Sequence, residues 1–225
     1  MIKFIYKQFM GDYMATLYLI RHGQSEANLA RIFTGSGDFP LTELGHAQAR
    51  AAAKFLKDKN IDTVYASPLI RAYETGKATA DAVNVPIIKH DGLKEINAGV
   101  WEGRKFDDLE IEFAESYYIW RNDIGKAVPN GGESVKEVYE RVVKAITEIA
   151  EQNDGKSIAI ASHATPIRTF GAYCLGIAPD DVKDLPWPSN ASITTVRFEN
   201  GKFFDIEYGN AEHLGEMVTV LPSNV

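Results

Sequence analysis

Short apolar runs alternate along the chain with segments whose apolar residues recur every three or four positions. The runs at 16–20, 61–66, 86–88 and 157–161 predict strands; 16–20 is expected to be buried and 157–161 to be central. The spaced patterns predict five helices. The first begins at about Thr42, the second at Ser67-Pro68, which would be its N-cap and first-turn proline, and the third covers 106–120. The fourth begins at a capping box at 134–137, and the fifth begins near Pro166. The runs 193–198 and 203–207, joined by 199–201, predict a hairpin.

Two of these helices have a marked apolar face. The pattern predicts that the first buries Leu44, Ala47, Ala51 and Phe55, and that the helix after the capping box buries Val138, Val142, Ile146 and Ile149. The stretch 34–40, rich in Gly, Ser, Asp and Pro, predicts a loop, and so does 93–103.

Strands that alternate with helices are typical of an α/β protein. We expect a three-layer α/β/α sandwich with a largely parallel central sheet and an antiparallel addition near the end. Internal repeats, low-complexity tracts and linker-like segments are lacking, which predicts a single domain over 1–225. Residues 1–13 are either a natural N-terminal extension, an over-long gene start or added sequence.

Composition narrows the classes of function. The chain is 45% hydrophobic and 24% charged, and no window holds the roughly 18 apolar residues of a membrane span. A net charge of −7 argues against nucleic acid or an acidic membrane as partner. Cys174 is the only cysteine, which excludes an intrachain disulfide and a thiolate metal cluster. With no signal peptide pattern at the start, a cytoplasmic protein is the simplest expectation.

Candidate chemistry lies where predicted strands end. Arg21-His22 follows the first strand, Ser67 to Arg71 follows the second, and His163 follows the strand at 157–161. Ligands of open α/β sheets bind at the carboxyl ends of the strands, so these side chains are expected to converge. Arginine binds phosphate through paired hydrogen bonds, and a neutral imidazole attacks phosphorus. The set therefore indicates phosphoryl transfer without a metal.

Five ordered blocks resemble the histidine phosphatase superfamily, which includes cofactor-dependent phosphoglycerate mutase. They are 19–45, with LIRHGQS at 19–25; 66–75, with ASPLIRAYET; 93–103; 131–134, with GGES; and 162–168, with SHATPIR. The resemblance covers roughly residues 16 to 175 and implies a phosphoglycerate mutase-like fold. Three positions depart from the common pattern of the family: Gln24 replaces glutamate, Ala27 replaces tryptophan and Ala164 replaces glycine.

The resemblance also implies roles for matching residues. His22 would carry the phosphoryl group, and Glu95 would protonate the leaving oxygen and later activate water. Arg21, Arg71, His163 and Asn28 would hold the phosphoryl group, while Thr34 and Gly35 would line the substrate site and the amide of Ala164 would donate to phosphate. No cofactor and no metal are implied.

Three functions remain open at this stage. The segment 95–103 is similar to the phosphatase branch of the family. The segment 105–126 holds few cations, which makes it a poor surface for the bisphosphate that a phosphoglycerate mutase must retain. Both observations favour a metal-independent phosphatase of small phosphorylated metabolites over a mutase. A non-catalytic binding module is the third candidate, opposed by the intact candidate residues. Substrate choice is expected within 106–128 and near Trp187. Trp101, Trp120 and Trp187 either line a specificity pocket or pack in the core, and a homodimer is one candidate oligomeric state.

Overall fold

Six strands form one mixed sheet. The computed structural model describes residues 14–220, and its strands are β1 (Ala15–Arg21), β2 (Ile61–Ala66), β3 (Ile87–Lys89), β4 (Ser157–Ser162), β5 (Ile193–Glu199) and β6 (Lys202–Asn210). Their order across the sheet is β3-β2-β4-β1-β5-β6. The first four pair in parallel, and β5 and β6 add to β1 as an antiparallel hairpin. The predicted largely parallel sheet with an antiparallel addition is confirmed, and β4 is central.

Seven helices connect the strands within the described residues. They are α1 (Glu26–Leu29), α2 (Glu43–Leu56), α3 (Ile70–Val83), α4 (Phe106–Glu112), α5 (Ala114–Asn122), α6 (Val135–Gln152) and α7 (Ala164–Cys174). Short 3₁₀ turns lie at Asp91–Leu93, Gly99–Trp101, Ile124–Lys126, Pro179–Asp184 and Glu212–Met217. None of the helices described between 14 and 220 has the length and apolar character to cross a membrane. The proposed extension at 1–13 lies outside the described residues.

Helices cover both faces of the sheet. Successive side chains of a strand point to opposite faces, so neighbouring residues of β1 belong to different cores. Leu19 lies in one apolar cluster with Val142 of α6, and Ile20 lies in another with Ala52 of α2 and Ala80 of α3. The three-layer α/β/α sandwich predicted from the sequence is confirmed.

The buried face of α2 differs from the predicted one. Leu44, Ala47, Ala51 and Phe55 are only half-buried, and the buried stripe is Gly45, Gln48, Ala49, Ala52, Ala53 and Leu56. Small residues form this stripe because α2 packs closely against α3. Gln48 is buried because its amide is used: Oε1 accepts from the Gln24 amide at 2.7 Å, and Nε2 donates to the Met217 carbonyl at 2.8 Å.

The start predicted for α3 at Ser67-Pro68 is wrong. The helix begins at Ile70, and its N-cap residue Leu69 makes no side-chain capping bond. Instead, the carboxylate of Asp38, from a distant loop, accepts a hydrogen bond from the Ile70 amide at 2.7 Å. The Ser67 hydroxyl is engaged elsewhere, accepting from the Leu69 amide and contacting His163. A tertiary contact has replaced the local cap.

Three other predicted elements differ only in detail. The helix expected over 106–120 is broken at Phe113, whose backbone (φ −126°, ψ 37°) leaves the helical region as its ring packs on Trp101. Helix α7 begins at Ala164, with Pro166 in the first turn, where no intrahelical amide donor is needed. The hairpin is confirmed, with Asn200 (φ 52°) and Gly201 (φ 75°) in the left-handed region that a two-residue turn requires.

Candidate active site

An open cavity lies at the carboxyl ends of the parallel strands. Eight of the nine site residues predicted from the sequence line it: Arg21, His22, Asn28, Thr34, Gly35, Arg71, Glu95 and Ala164. The ninth, His163, does not line the cavity. Its fully buried ring lies behind His22, edge to face, with centroids 5.2 Å apart. The strand ends therefore bring the predicted residues together, as the sheet topology requires.

The imidazole of His22 is held in one tautomer. Its Nδ1 lies 2.7 Å from the carbonyl oxygen of Gly23, and because a carbonyl only accepts, Nδ1 carries the hydrogen. The lone pair then resides on Nε2. Gly23 allows this arrangement because a Cβ there would meet the Gly45 carbonyl oxygen at 2.3 Å. The tight packing of this loop against the start of α2 thus fixes the candidate nucleophile.

Backbone carbonyls hold both arginines in place. Arg21 donates from Nη1 to Pro188 at 2.6 Å, and Arg71 donates to Gly37 at 2.7 Å and to Gly35 at 2.9 Å. The Nε atom of each is buried and has no acceptor among residues 14–220. Burial lowers the pKa of both guanidinium groups to about 10, which leaves them charged at neutral pH. Both guanidinium groups line the cavity, and the Nη hydrogens that these bonds leave unused are the donors available there.

These surroundings keep both histidines neutral. Burial first, and then the charges of Arg71 and Arg21, hold the pKa of His22 well below its usual 6.5. The pKa of His163 is lowered in the same direction, again chiefly by burial, with Arg71 next. At neutral pH the Nε2 lone pair of His22 is therefore free of a proton and able to attack an electrophile.

Ser67 orients the ring of His163. The Ser67 hydroxyl oxygen lies 2.8 Å from His163 Nε2 and accepts from the Leu69 amide at 3.3 Å. A serine hydroxyl has one hydrogen and two acceptor positions, so this contact orients the imidazole in either of its neutral tautomers. The Nδ1 atom is buried and has no partner in the part of the chain that the structure describes. Ser67 thus holds a neutral His163 beside His22.

Glu95 lies on the loop that follows β3 and is nine-tenths buried. Its Oε1 accepts from the Ile96 amide at 2.9 Å, and its Oε2 accepts from the Thr165 amide at 3.4 Å. Arg141 of α6 holds this loop, donating to the carbonyls of Gly92, Lys94 and Glu95 at 3.1, 2.8 and 3.1 Å.

Arg141 is paired in turn with Glu133. The guanidinium donates through Nε at 2.6 Å and through Nη2 at 2.9 Å to the two carboxylate oxygens. Glu133 belongs to the GGES block noted in the sequence, whose partner was not foreseen. An arginine eight residues after that glutamate is the only signal the sequence offered.

Asn28 is oriented by a residue that the sequence did not single out. Its Oδ1 accepts from the Ser25 amide and from Nδ2 of Asn190, both at 3.1 Å. The same Asn190 amide nitrogen donates to the His22 carbonyl at 3.1 Å, so it links the two elements. The Asn28 Nδ2 atom has no acceptor within 14–220, which makes it a further donor at the cavity.

Thr34 and Gly35 line the cavity from one loop, and Ala164 lines it from the start of α7. Gly35 has φ +50°, and its carbonyl accepts from Arg71. Its close neighbour Glu102 accepts from the amide and hydroxyl of Ser36 at 2.8 and 2.6 Å, which holds this loop. Ala164 begins α7, where backbone amides have no intrahelical acceptor, a position suited to an anion.

The outer wall of the cavity is aromatic. Phe33, Phe106, Trp120 and Trp187 all line it. The rings of Phe33 and Trp120 meet edge to face at 5.0 Å, and Trp120 and Trp187 lie 5.9 Å apart. Trp101, by contrast, is fully buried and packs behind Phe33. The alternatives left open by the sequence are thus divided: Trp120 and Trp187 face the cavity, and Trp101 belongs to the core.

A comparison of the chain with models of known protein families identifies its family. The profile of the histidine phosphatase superfamily (branch 1) matches residues 17–211. The chain is a member of this superfamily. The match includes every site residue predicted from the sequence, and it confirms the resemblance stated from the five blocks.

Curated proteins similar to this chain include two phosphatases that match most of its length. Phosphoserine phosphatase 1 of Hydrogenobacter thermophilus is 31% identical over 204 residues, 90% of this chain and 96% of that protein. The adenosylcobalamin/alpha-ribazole phosphatase of Escherichia coli K12 is 32% identical over 199 residues, 85% of this chain and 98% of its own length. Both relatives are named as phosphatases.

Solved structures of the superfamily share the fold. YhfR of Bacillus stearothermophilus has a TM-score of 0.85 at 28% identity, covering 89% of this chain and 99% of its own. The phosphoglycerate mutase-like fold expected from the sequence is confirmed.

Proposed function

We propose that this histidine phosphatase hydrolyses small phosphorylated metabolites through a phosphohistidine on His22. The observation that carries the proposal is the contact of His22 Nδ1 with the Gly23 carbonyl, which leaves the Nε2 lone pair available in a cavity lined by two immobilised arginines. The relatives named as phosphatases support hydrolysis as the net reaction. Phosphoryl transfer depends chiefly on positioning and on charge stabilisation, and both are features of this cavity.

In the first step, Nε2 of His22 attacks phosphorus and the ester P–O bond breaks. The phosphoryl oxygens accept hydrogen bonds from Arg21, Arg71 and Asn28, which line the cavity, while the ring of His163 packs behind His22. Glu95, as the carboxylic acid, donates its proton to the departing oxygen, which leaves as an alcohol.

In the second step, water attacks the phosphoryl group from the side that the alcohol has left. The Glu95 carboxylate accepts a proton from this water, the P–N bond breaks, and phosphate leaves. Glu95 returns to its acid form and His22 to its neutral form, so the cycle closes. The Nδ1 hydrogen bond to the Gly23 carbonyl stays in place and spreads the positive charge that the ring acquires.

Metal independence belongs to the same proposal. Two guanidinium charges oppose the two negative charges of a phosphomonoester, which is the role that a divalent cation has in other phosphoryl-transfer enzymes. Within residues 14–220, no three His, Cys, Asp or Glu side chains form a group suited to a metal ion. The proposal requires that activity is unchanged in EDTA, and activity that disappears and returns with added metal would contradict it.

A phosphoglycerate mutase is the weaker alternative. A mutase must retain a bisphosphate, and the cations lining this cavity within the described chain are only Arg21 and Arg71. Hydrolysis without a bisphosphate primer separates the two functions, because a mutase would release little phosphate. A binding module that lost catalysis would release none.

Replacement of the candidate nucleophile tests the mechanism. In His22→Asn we expect phosphate release from 4-nitrophenyl phosphate to fall by about 10⁴-fold or more, because the carboxamide nitrogen of asparagine is not a nucleophile. The matched control is His46→Asn, which changes a half-exposed histidine of α2 that lies 3.9 Å from Glu74. Rapid acid-free quenching with ³²P-labelled substrate should trap label on the wild type and on the control but not on His22→Asn. Undiminished turnover in His22→Asn, with the protein folded, would contradict the mechanism.

A further inference from the structure

We propose that the leaving group of the substrate is uncharged and contains an aromatic ring. This inference rests on the phosphatase function proposed above and names the class of phosphomonoester that the cavity accepts. It follows from two independent features of the outer cavity, the distribution of charge and the arrangement of its aromatic wall.

Charge is confined to the inner end of the cavity. Among the described residues that line it, the ionisable side chains are Arg21, His22, Arg71 and Glu95, all of them used by the phosphoryl group or by the departing oxygen. The two arginine charges are balanced by the phosphate dianion. A carboxylate on the leaving group would have no cation to pair with, and an ammonium group no free carboxylate, and a buried unpaired charge is strongly disfavoured.

The outer wall is built to contact a flat apolar group. Phe33 lies edge to face with both Trp120 and Phe106, at 5.0 and 6.0 Å between ring centroids. Such arrangements are favoured by the aromatic quadrupole and keep the rings in place. The indole of Trp120 is uncharged, so it adds no charge to this wall. Its Nε1 is buried and has no acceptor within 14–220.

Trp187 is fixed from behind by an arginine that does not enter the cavity. The guanidinium carbon of Arg168 lies 4.3 Å from the centre of the indole ring. Arg168 itself donates to the carbonyls of Leu185 at 2.6 Å and Lys183 at 3.0 Å. Because this cation is used against the outer face of Trp187, it holds the ring and is not available to a charged substrate.

A substrate panel tests the proposed class. Three esters of primary alcohols have similar leaving groups but differ in what the outer cavity must accept: 2-phenylethyl phosphate, butyl phosphate and phosphoserine. We expect kcat/KM to be at least about 100-fold higher for 2-phenylethyl phosphate than for phosphoserine, with butyl phosphate between them. Equal or faster hydrolysis of phosphoserine would overturn this substrate class and leave the phosphatase proposal intact. Phosphate release from none of the three would overturn both.

Variants of the wall identify the residues responsible. Trp187→Leu should raise KM for 2-phenylethyl phosphate about tenfold with little change for butyl phosphate, because only the ring contact is lost. Tyr118→Leu is the matched control, since Tyr118 is an exposed aromatic residue of α5 outside the cavity. Trp120→Phe, which keeps an aromatic ring in the packed cluster, should give a smaller change of the same kind. Equal losses for both substrates in Trp187→Leu and Trp120→Phe would assign these rings a structural role and overturn the proposed contact.

Discussion

The inner and outer ends of the cavity differ in what holds their side chains. At the inner end, Arg21, Arg71 and His22 are each fixed by hydrogen bonds to backbone carbonyls of neighbouring loops. At the outer end, Phe33 and Trp120 are fixed by ring packing, and no ionisable side chain of the described residues lines that part. Hydrogen bonds define direction to within a narrow angle, whereas packing defines shape.

This difference separates the chemistry from the choice of substrate. A phosphoryl group is the same in every phosphomonoester, so a rigid set of donors at the inner end serves any member of the class. The leaving group is what varies, and it meets only the outer rings. We therefore expect changes at the inner end to alter kcat/KM according to the chemistry of the leaving group, and changes at the outer end to alter KM according to its shape.

The largest effect that depends on the leaving group is expected at Glu95, which lines the cavity. Glu95→Gln cannot donate a proton, so kcat/KM for an alkyl phosphate should fall about 10²–10⁴-fold. The 4-nitrophenolate leaving group needs no proton, and its kcat/KM should fall less than about tenfold. Glu110→Gln, at an exposed carboxylate of α4 that pairs with Arg121, is the control. Equal losses for the two esters would exclude Glu95 as the acid.

A smaller effect of the same kind is expected at Arg141. This residue does not line the cavity but donates to three backbone carbonyls of the loop that carries Glu95. In Arg141→Ala, a displaced carboxyl should lower kcat/KM for an alkyl phosphate about 10- to 100-fold and that for 4-nitrophenyl phosphate much less. Lys144→Ala, at an exposed position of the same helix, serves as control. A uniform loss for both esters would show that Arg141 only stabilises the fold.

The inner end was largely predictable from the sequence. Arg21 and His22 follow one apolar strand and His163 another, and parallel strands place such residues at a common edge. Glu95 was assigned only through the family resemblance, because a loop glutamate carries no periodic signal. Arg141 was missed because its acceptors are backbone carbonyls, which any sequence provides.

The outer end was not predictable in the same way. Phe33, Phe106, Trp120 and Trp187 come from four separated segments, and nothing local distinguishes the two cavity tryptophans from Trp101 in the core. The buried stripe of α2 was misjudged for a related reason. Close helix packing selected small residues such as Ala49 and Ala52, where the apolar pattern favoured Phe55. Packing partners are set by the tertiary structure, and the local pattern of apolar residues in one sequence does not reveal them.

The smallest expected effect concerns stability against pH, and it also distinguishes the two ends. His22 and His163 have a lowered pKa in the folded state, whereas in the unfolded chain their pKa is about 6.5. Below pH 6.5 the unfolded chain therefore binds more protons than the folded one, and the free energy of unfolding falls as the pH falls. Each histidine contributes a slope approaching about 1.4 kcal/mol per pH unit.

Urea unfolding between pH 7.5 and 5.5 in phosphate-free buffer measures this slope. His22→Asn should lower the slope by up to about 1.4 kcal/mol per pH unit, the contribution of one histidine, because asparagine does not titrate. Trp187→Leu should leave it unchanged, since the outer end contributes no ionisable side chain among the described lining residues. A wild-type stability that stays constant or rises down to pH 5.5 would mean that the folded cavity accepts imidazolium. The neutral His22 on which the proposed attack depends would then not be the state that the cavity enforces.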